Sequence, residues 1–421
     1  MKLSDQDRAM IDGEHGAAKQ IAMNGLVQLG EAFDAEDLVD IGYAHVHAGM
    51  AMYLGDVELM EELADLGARM AVPASSNVAN ADMENWKATS APERLVRLQQ
   101  RAEGAHQSMG TSCSFTCTPY WAGHWPTWNT HMTSIESGVT VFCNSVLGAR
   151  SNRDGFFAVY AGITGRYPRF GLHLDEHRRP THRVKIEANP QNTSDFTALG
   201  FAIGRQVMDG IPLLDGLKRR PTLDELDGLG VGLATSGGVS MFILPGVTPP
   251  FSSVEQALNG VGNIPDVCAR QSDVAGIYDY FCSGDHNDIE IVHMGCPHAS
   301  YEEMKCYAEL LHGKTIRDGV ELWVTTSRTV RRMAADAGLL AKIEASGAKV
   351  IADTCPISCH FARTASPDPS LGVKPPKMRT IVVDSAKQAK YVRDMIRCET
   401  LFTSTENAVE TAVRGHFVPR Y

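Results

Sequence analysis

The last third of the chain alternates so regularly between short apolar runs and amphipathic stretches that few folds remain open to it. DIEIVHMG reads as a strand, ASYEEMKCYAELLHG as a helix, ELWVTT as a strand, SRTVRRMAADAGLLAKIEASG as a helix and AKVIADT as a third strand. Crossovers of this kind are right-handed and make the strands parallel, with their carboxyl ends on one edge. Cys296, Ser327 with Arg328, and Cys355 each come directly after one of these strands. Residues remote in sequence can therefore meet in the crevice beyond the sheet edge. A proline-rich connection, ASPDPSLGVKPPK, precedes one more strand, RTIVV, whose helix begins at Asp384-Ser385-Ala386-Lys387 and sets Lys387 near the same edge. The architecture expected is α/β, with parallel-rich sheets flanked by helices and a site at the strand carboxyl ends.

The N-terminal region carries a shorter version of the pattern. DLVDIGYAHV is strand-like, GDVELMEELADLG helical, and ARMAVP strand-like again. The loops that follow hold His45 and His47, then Ser75, Ser76 and Asn77, all candidates for lining the site. At 421 residues and 43% hydrophobic, the chain can bury a large core in two or three closely packed lobes. GLGVGLATSGGVSMFILPGVTPP contains neither GxGxxG opening a helix nor a GxxxxGK phosphate loop, so closely packed strands joined by a glycine turn are expected there.

Charge and segment composition exclude several classes. A formal charge of −11 with a pI near 5.8 disfavours nucleic-acid or anionic-membrane partners. The basic cluster HRRPTHR reads as a solvated turn before an anion site. No apolar run approaches the roughly 20 residues that span a bilayer, and MKLSDQDRAMIDGEHG lacks the form of a secretory signal, so a cytoplasmic protein is expected. Ten cysteines over this length are too dilute for a disulfide scaffold. Cys268, Cys306 and Cys398, in or beside helical patterns, read as small buried hydrophobes.

Three cysteines stand apart from the rest. Cys117-Thr118-Pro119 lies in the segment Gly110 to Arg153, dense in Cys, His, Glu and Arg, and the context recurs at Gly295-Cys296-Pro297 and Thr354-Cys355-Pro356. Proline fixes its own backbone angle and biases the preceding residue away from helix, so each thiol projects from irregular backbone. Local CxxC spacing for zinc is absent, as is the HExxH pattern of zinc hydrolases. Three thiolates from separate loops suit an iron-sulfur cluster with one iron position left for substrate; three buried thiols are the competing reading.

TCTPYW, IESGVTVFCNSVLGARSNRDG, GLHLDE, MGCPHAS, LWVTTSR, IADTCPI and DSAK, in that order, resemble the aconitase X family over nearly the whole chain. The resemblance implies an aconitase-like fold and a dehydratase, a hydro-lyase, whose large lobe carries an iron-sulfur cluster, either [2Fe-2S] or [4Fe-4S]. The three cysteine ligands match Cys117, Cys296 and Cys355. Glu136 and Ser137 match substrate-contacting positions, and Lys387 the active-site lysine. Elimination of water needs a Lewis acid on the leaving oxygen, a base, and neutralisation of the carboxylate. Arg150 and Arg153 are candidates for carboxylate contacts, because guanidinium forks bind carboxylates bidentately. His124, His131, His293 and His298 are candidate donors around the cluster.

Family members that dehydrate mevalonate 5-phosphate carry a loop HVSGVS and a later Asn-Pro; this chain reads HVHAGM at 45 to 50 and Asn77-Val78. His47, Gly49, Met50, Asn77 and Val78 are thus the candidate substrate-binding positions. Met50 offers apolar surface, which suits a pyrrolidine ring better than a phosphate. The substrate expected is cis-3-hydroxy-L-proline, with mevalonate 5-phosphate as the alternative. A cluster-bearing regulator that binds RNA is disfavoured by the acidity. Cys143, where alanine is usual, has no account at this level. What remains after Lys387 is too short for the small swivelling domain of such enzymes, which points to a separate small subunit.

Overall fold

The computed structural model describes residues 1–421 except 50, 52, 90, 284–286, 288 and 360–379. Met50 and the proline-rich connection therefore lie outside the described residues. The strands in chain order are β1 (Leu38–Asp40), β2 (Tyr43–Val46), β3 (Ala74–Ser76), β4 (Met132–Ser134), β5 (Arg166–Pro168), β6 (His182–Ile186) and β7 (Pro212–Asp215). They continue with β8 (Asp266–Ala269), β9 (Ile291–Ala299), β10 (Glu321–Thr326), β11 (Lys349–Ala352), β12 (Thr380–Val383) and β13 (Glu399–Phe402).

The largest sheet has the order β11-β10-β9-β12-β13 and every pairing in it is parallel, as the alternation in the last third requires. Buried on both faces, its strands are nearly all apolar and serve two cores. Ile381 and Val383 face a core shared with Phe196, Leu226 and Leu229, while Val382, between them, faces Met304 and Val409. The crossover helices start on side-chain caps. Ser300 and Glu303 form a capping box at Tyr301–Leu310, and Ser327 caps Arg328–Asp336. Two smaller parallel sheets, β3-β2-β4 and β7-β6-β8, and the antiparallel pair β1-β5 complete the strand pairing.

Carboxyl-end loops of the β3-β2-β4 sheet are stitched to those of the large sheet. Ala79 N–H donates to Asp353 O at 2.8 Å and Ala352 N–H to Asp82 Oδ2 at 3.0 Å, while the Asn80 side chain donates to Ser358 O. The two sheets thus present strand ends to a common space.

Four details depart from the sequence reading. DLVDIGYAHV breaks into β1 and β2, because Gly42 packs so closely on Thr130 that a Cβ there would lie 2.5 Å from its methyl. The strand expected at ARMAVP lies further on, at Ala74–Ser76, and is polar. The first part of the glycine-rich run, 228–237, is helical, within Leu223–Gly237, and the rest is irregular, not a strand pair. The helix packs backbone to backbone on the Thr193–Val207 helix: a Cβ at Gly200 would collide with Leu229 O, and one at Gly232 with Thr197 O. Finally, Cys306 is exposed, since its helix buries Met304, Tyr307 and Ala308 on the opposite side, whereas Cys398 is buried and Cys268 half-buried.

Candidate active site

Each of the three singled-out cysteines is held differently. Cys117 sits in the loop before the short helix Pro119–Ala122. Cys355 follows β11 by two residues, in a turn whose Asp353 adopts φ +67° and is gripped by Arg328 at 2.9 Å. Cys296 does not follow its strand, as the sequence suggested, but lies inside β9. Gly295, at φ +87°, lets this happen, because any Cβ would strike Thr325 O on the neighbouring strand; the β9–β10 register shifts at that point.

The structure brings the three together. His298, on β9 beyond Cys296, ties the other two loops: its backbone N–H donates to Cys117 Sγ at 3.3 Å, and its ring bridges Thr116 Oγ1 at 3.2 Å and Thr354 O at 3.1 Å. Burial pushes the Cys117 and Cys296 thiols well up, opposed by the Lys387 ammonium, and the charges of the other two cysteines act on Cys296. Among the described residues no three His, Cys, Asp or Glu side chains are drawn together tightly enough to hold one metal ion. The fit to a group broader than a single ion is therefore one of donor chemistry: three thiols, two on loops and one on β9, close enough for their charges to act on one another.

Within reach of those charges is an ion pair. Lys387, 5% exposed, stands in the first turn of Ala386–Tyr391 directly after β12 and donates to Glu136 Oε1 at 2.7 Å. Glu136 caps Ser137–Phe142 after β4, and its Oε1 also accepts from Gly138 N at 3.3 Å. Gly138 has to be glycine, since a Cβ would lie 2.8 Å from Val231 Cγ1. Burial alone would raise the Glu136 carboxyl and lower Lys387. Their mutual attraction, with the gathered thiols adding to the pull on Lys387, reverses both directions. Ser137 is buried beside Glu136. His45, fully buried, lies within the field of Glu136, takes Ser75 Oγ at 2.9 Å, and is held neutral by burial, with a pKa of about 4.

The remaining candidates scatter. His47 is locked: its Nδ1 accepts from Gly49 N at 3.2 Å, its Nε2 faces Asp56 at 3.6 Å, and burial pulls its pKa down against the Asp56 charge. Gly49, at φ +66°, leaves no room for a Cβ against Ala102. Asn77 N–H donates to Val46 O, and Val78 is buried behind it. Arg150 points elsewhere, to Asn129 Oδ1 at 2.7 Å, His173 O at 3.2 Å and Asp175. Arg153 is exposed and bridges Ser134 through its backbone. His131 pairs with His173, His124 with Ser112, and His293 with Thr325. In HRRPTHR, Arg178 is buried, not solvated. Cys143 is a core residue beside Val141 and Phe142.

A feature the sequence reading missed lies behind Cys296. Asp224, Asp227, Glu303 and Asp384 line a cavity of about 20 Å³ together with Cys296, Pro297 and Ser385, room for about one water. Burial is the first cause that raises all four carboxyls, taking Asp227 and Asp384 to about 7. They come from three separate segments, Asp224 and Asp227 sharing the Leu223–Gly237 helix, so no single local motif marked them.

Models of the aconitase X first, second and third domains match residues 1–176, 180–279 and 289–414. The phosphomevalonate dehydratase large subunit of Methanothermobacter thermautotrophicus is 33% identical, with 97% of this chain and 98% of that protein covered. The cis-3-hydroxy-L-proline dehydratase of Pseudomonas aeruginosa is also 33% identical, but the match covers 98% of this chain and 70% of that protein. A crystal structure of Thermococcus kodakaraensis aconitase X in its holo-form superposes with a TM-score of 0.85 at 28% identity, covering 98% of this chain and all of the other. The fold is aconitase-like and the chain is a hydro-lyase. It belongs to the aconitase X family. Among the described residues no helix is long and apolar enough to cross a membrane.

Proposed function

We propose that this protein is the large subunit of an iron-sulfur-dependent dehydratase that converts cis-3-hydroxy-L-proline to Δ1-pyrroline-2-carboxylate. The observation that carries the reading is the Glu136–Lys387 pair, 2.7 Å apart and set in one electrostatic neighbourhood with Cys117, Cys296 and Cys355. Those cysteines would hold the cluster, whether [2Fe-2S] or [4Fe-4S]. When bound, it supplies a Lewis-acidic iron for a leaving hydroxyl. Three half-buried thiolates gathered together are costly without a compensating cation, and the His298 N–H on Cys117 Sγ is a donor suited to the charged form.

The chain's own groups supply the rest. The Lys387 ammonium neutralises the substrate carboxylate and the negative charge that builds on it as the proton at carbon 2 leaves. Glu136 contacts the substrate and keeps Lys387 charged and aimed, with Ser137 beside it. Loss of the carbon-2 proton and the carbon-3 hydroxyl removes one water and leaves an enamine, which tautomerises to the cyclic imine. The loops after β2 and β3, with Gly49, Asn77 and Val78, form the wall against the ring.

The state of His47 supports hydroxyproline over mevalonate 5-phosphate. Turned to Asp56 and kept neutral, it offers no cation to a phosphate dianion, which needs several donors when enclosed. Relatives that match at 33% and 30% identity, each over 97% of this chain, are named phosphomevalonate dehydratase large subunits, which supports the second reading. The same names support a separate small subunit, within a cytoplasmic enzyme. The test is an anaerobic assay of the iron-reconstituted chain with its small subunit against both substrates. Pyrroline-2-carboxylate from the cis amino acid is expected. Turnover of the phosphate with none of the amino acid overturns the assignment.

A further inference from the structure

A cavity of about 430 Å³ opens at the far end of the helical segment that Glu136 caps. That segment runs as Ser137–Phe142, continues as a wider turn through Cys143–Leu147, and stops at Gly148 in left-handed conformation. Twelve residues of such backbone put roughly 18 Å between the two ends. None of Cys117, Cys296, Cys355, Glu136 and Lys387 lines this cavity. Its size falls in the range of small-molecule sites.

Its charge is the unusual part. Arg150, Arg178 and Arg179 line it, and the one carboxylate among the lining residues is Asp175, whose side chain is 84% exposed and lies on Arg150. Arg178 is only 9% exposed, yet its donors go to Asn144 Oδ1 at 2.7 Å, Asn144 O at 3.2 Å, Ala149 O at 3.1 Å and Leu172 O at 3.2 Å. All are neutral acceptors, and among the described residues the one carboxylate that acts on this buried guanidinium is the exposed Asp175, already engaged with Arg150, so the charge is under-compensated unless an anion completes it. Arg179 is exposed and, among the described residues, donates to Asn259 O alone, at 3.4 Å, which leaves its fork available. The neighbouring His131 and His173 are kept neutral, by burial first and then by the arginines, so they neither add to nor cancel the charge.

The opposite wall is apolar. Trp128, 63% exposed, lies over Gly148, where a Cβ would sit 2.5 Å from its ring and 3.1 Å from Pro249; Phe251 continues the surface. An indole held against a glycine beside three guanidiniums combines a stacking face with anion-binding forks.

We propose that this cavity binds a small organic phosphate monoester, with the phosphate among Arg150, Arg178 and Arg179 and the organic group on Trp128. Asp175 swings to solvent as the phosphate takes its place on Arg150. The site stands independently of the reaction assigned to the cysteines.

The test uses phenyl phosphate on the purified full chain, followed by tryptophan fluorescence and calorimetry at low salt. A saturable signal with a Kd of about 1 mM or tighter is expected. Arg179→Ala, an exposed position whose loss leaves the fold intact, weakens binding by about tenfold or more. Trp128→Phe removes the fluorescence change while calorimetry still reports binding. Inorganic phosphate competes and phenol does not. No saturation, equal binding by Arg179→Ala, or competition by phenol alone overturns the proposal. So does binding that Lys387→Met abolishes and Arg179→Ala does not, because the anion would then occupy the cysteine site.

Discussion

Glu136 and the four carboxyls behind Cys296 are buried in the same part of the molecule and titrate in opposite directions. Glu136 has Lys387 at 2.7 Å and is held below the ordinary carboxylate range. Asp227 and Asp384 have neutral donors, among them the hydroxyls of Tyr120 at 2.7 Å and Thr405 at 2.8 Å, and rise to about 7. Burial is the largest influence on all three. Whether a cation stands within bonding distance decides the sign. One side of the cysteine region is thereby charged in compensated form, and the other is close to neutral at the cost of bound protons.

The comparison breaks most completely through the thiols between the two sides. Replacing Cys117, Cys296 or Cys355 by Ser should abolish iron incorporation and dehydratase turnover, whereas Cys268→Ser and Cys398→Ser should leave the iron content of anaerobically purified protein unchanged. Retention of full iron by Cys117→Ser would falsify the three-cysteine site.

Next in size is the pair. Lys387→Met strands Glu136 without a cation and should cost about 3–5 kcal/mol in urea unfolding, with turnover falling by about 10³ or more. Adding Glu136→Gln to that variant should restore much of the stability and none of the activity. A single-variant loss under about 1 kcal/mol would mean that solvent, and not Lys387, supports the carboxylate.

The smallest effect is a pH slope. A carboxyl whose folded pKa is raised contributes stability that is full below its ordinary value of 3.8 and lost as pH rises through about 7. Glu136 has the opposite sign: its contribution is present above 4.5 and lost as pH falls through its lowered folded value. Asp384→Asn should therefore raise Tm by a few degrees at about pH 8 and leave it unchanged at about pH 4. An equal shift at both pH values would show that Asp384 does not carry the slope.

The large sheet was legible because its strands are short apolar runs set between long amphipathic helices, and Lys387 was legible because it opens the helix after one of them. The pairing of Lys387 with Glu136 was not, since nothing local connects residues 251 apart. Gly228, Gly230 and Gly232 misled for a physical reason. Glycine lowers helix propensity, so the run reads as turn and strand. In the structure the missing side chains let Leu223–Gly237 lie against Thr197 O and Phe201 N, and that packing outweighs propensity. Arg150 was read by type as a ligand for the substrate carboxylate, but the sequence did not reveal that His131 bridges its backbone and that its side chain goes to Asp175. Cys296 was placed beyond its strand because Gly295-Cys296-Pro297 has the composition of a loop.

That Cys296 belongs to β9 bears on which lengths of chain evolution can tolerate here. One residue inserted or deleted between Ile291 and Cys296 would take Gly295 out of the one position, φ +87° against Thr325 O, where a Cβ cannot fit, and with it the backbone that presents the thiol. Cys117 and Cys355 stand on irregular backbone, where a change of length can be absorbed by the loop. Related chains should therefore vary in spacing around those two cysteines and keep a fixed count from the start of β9 to Cys296.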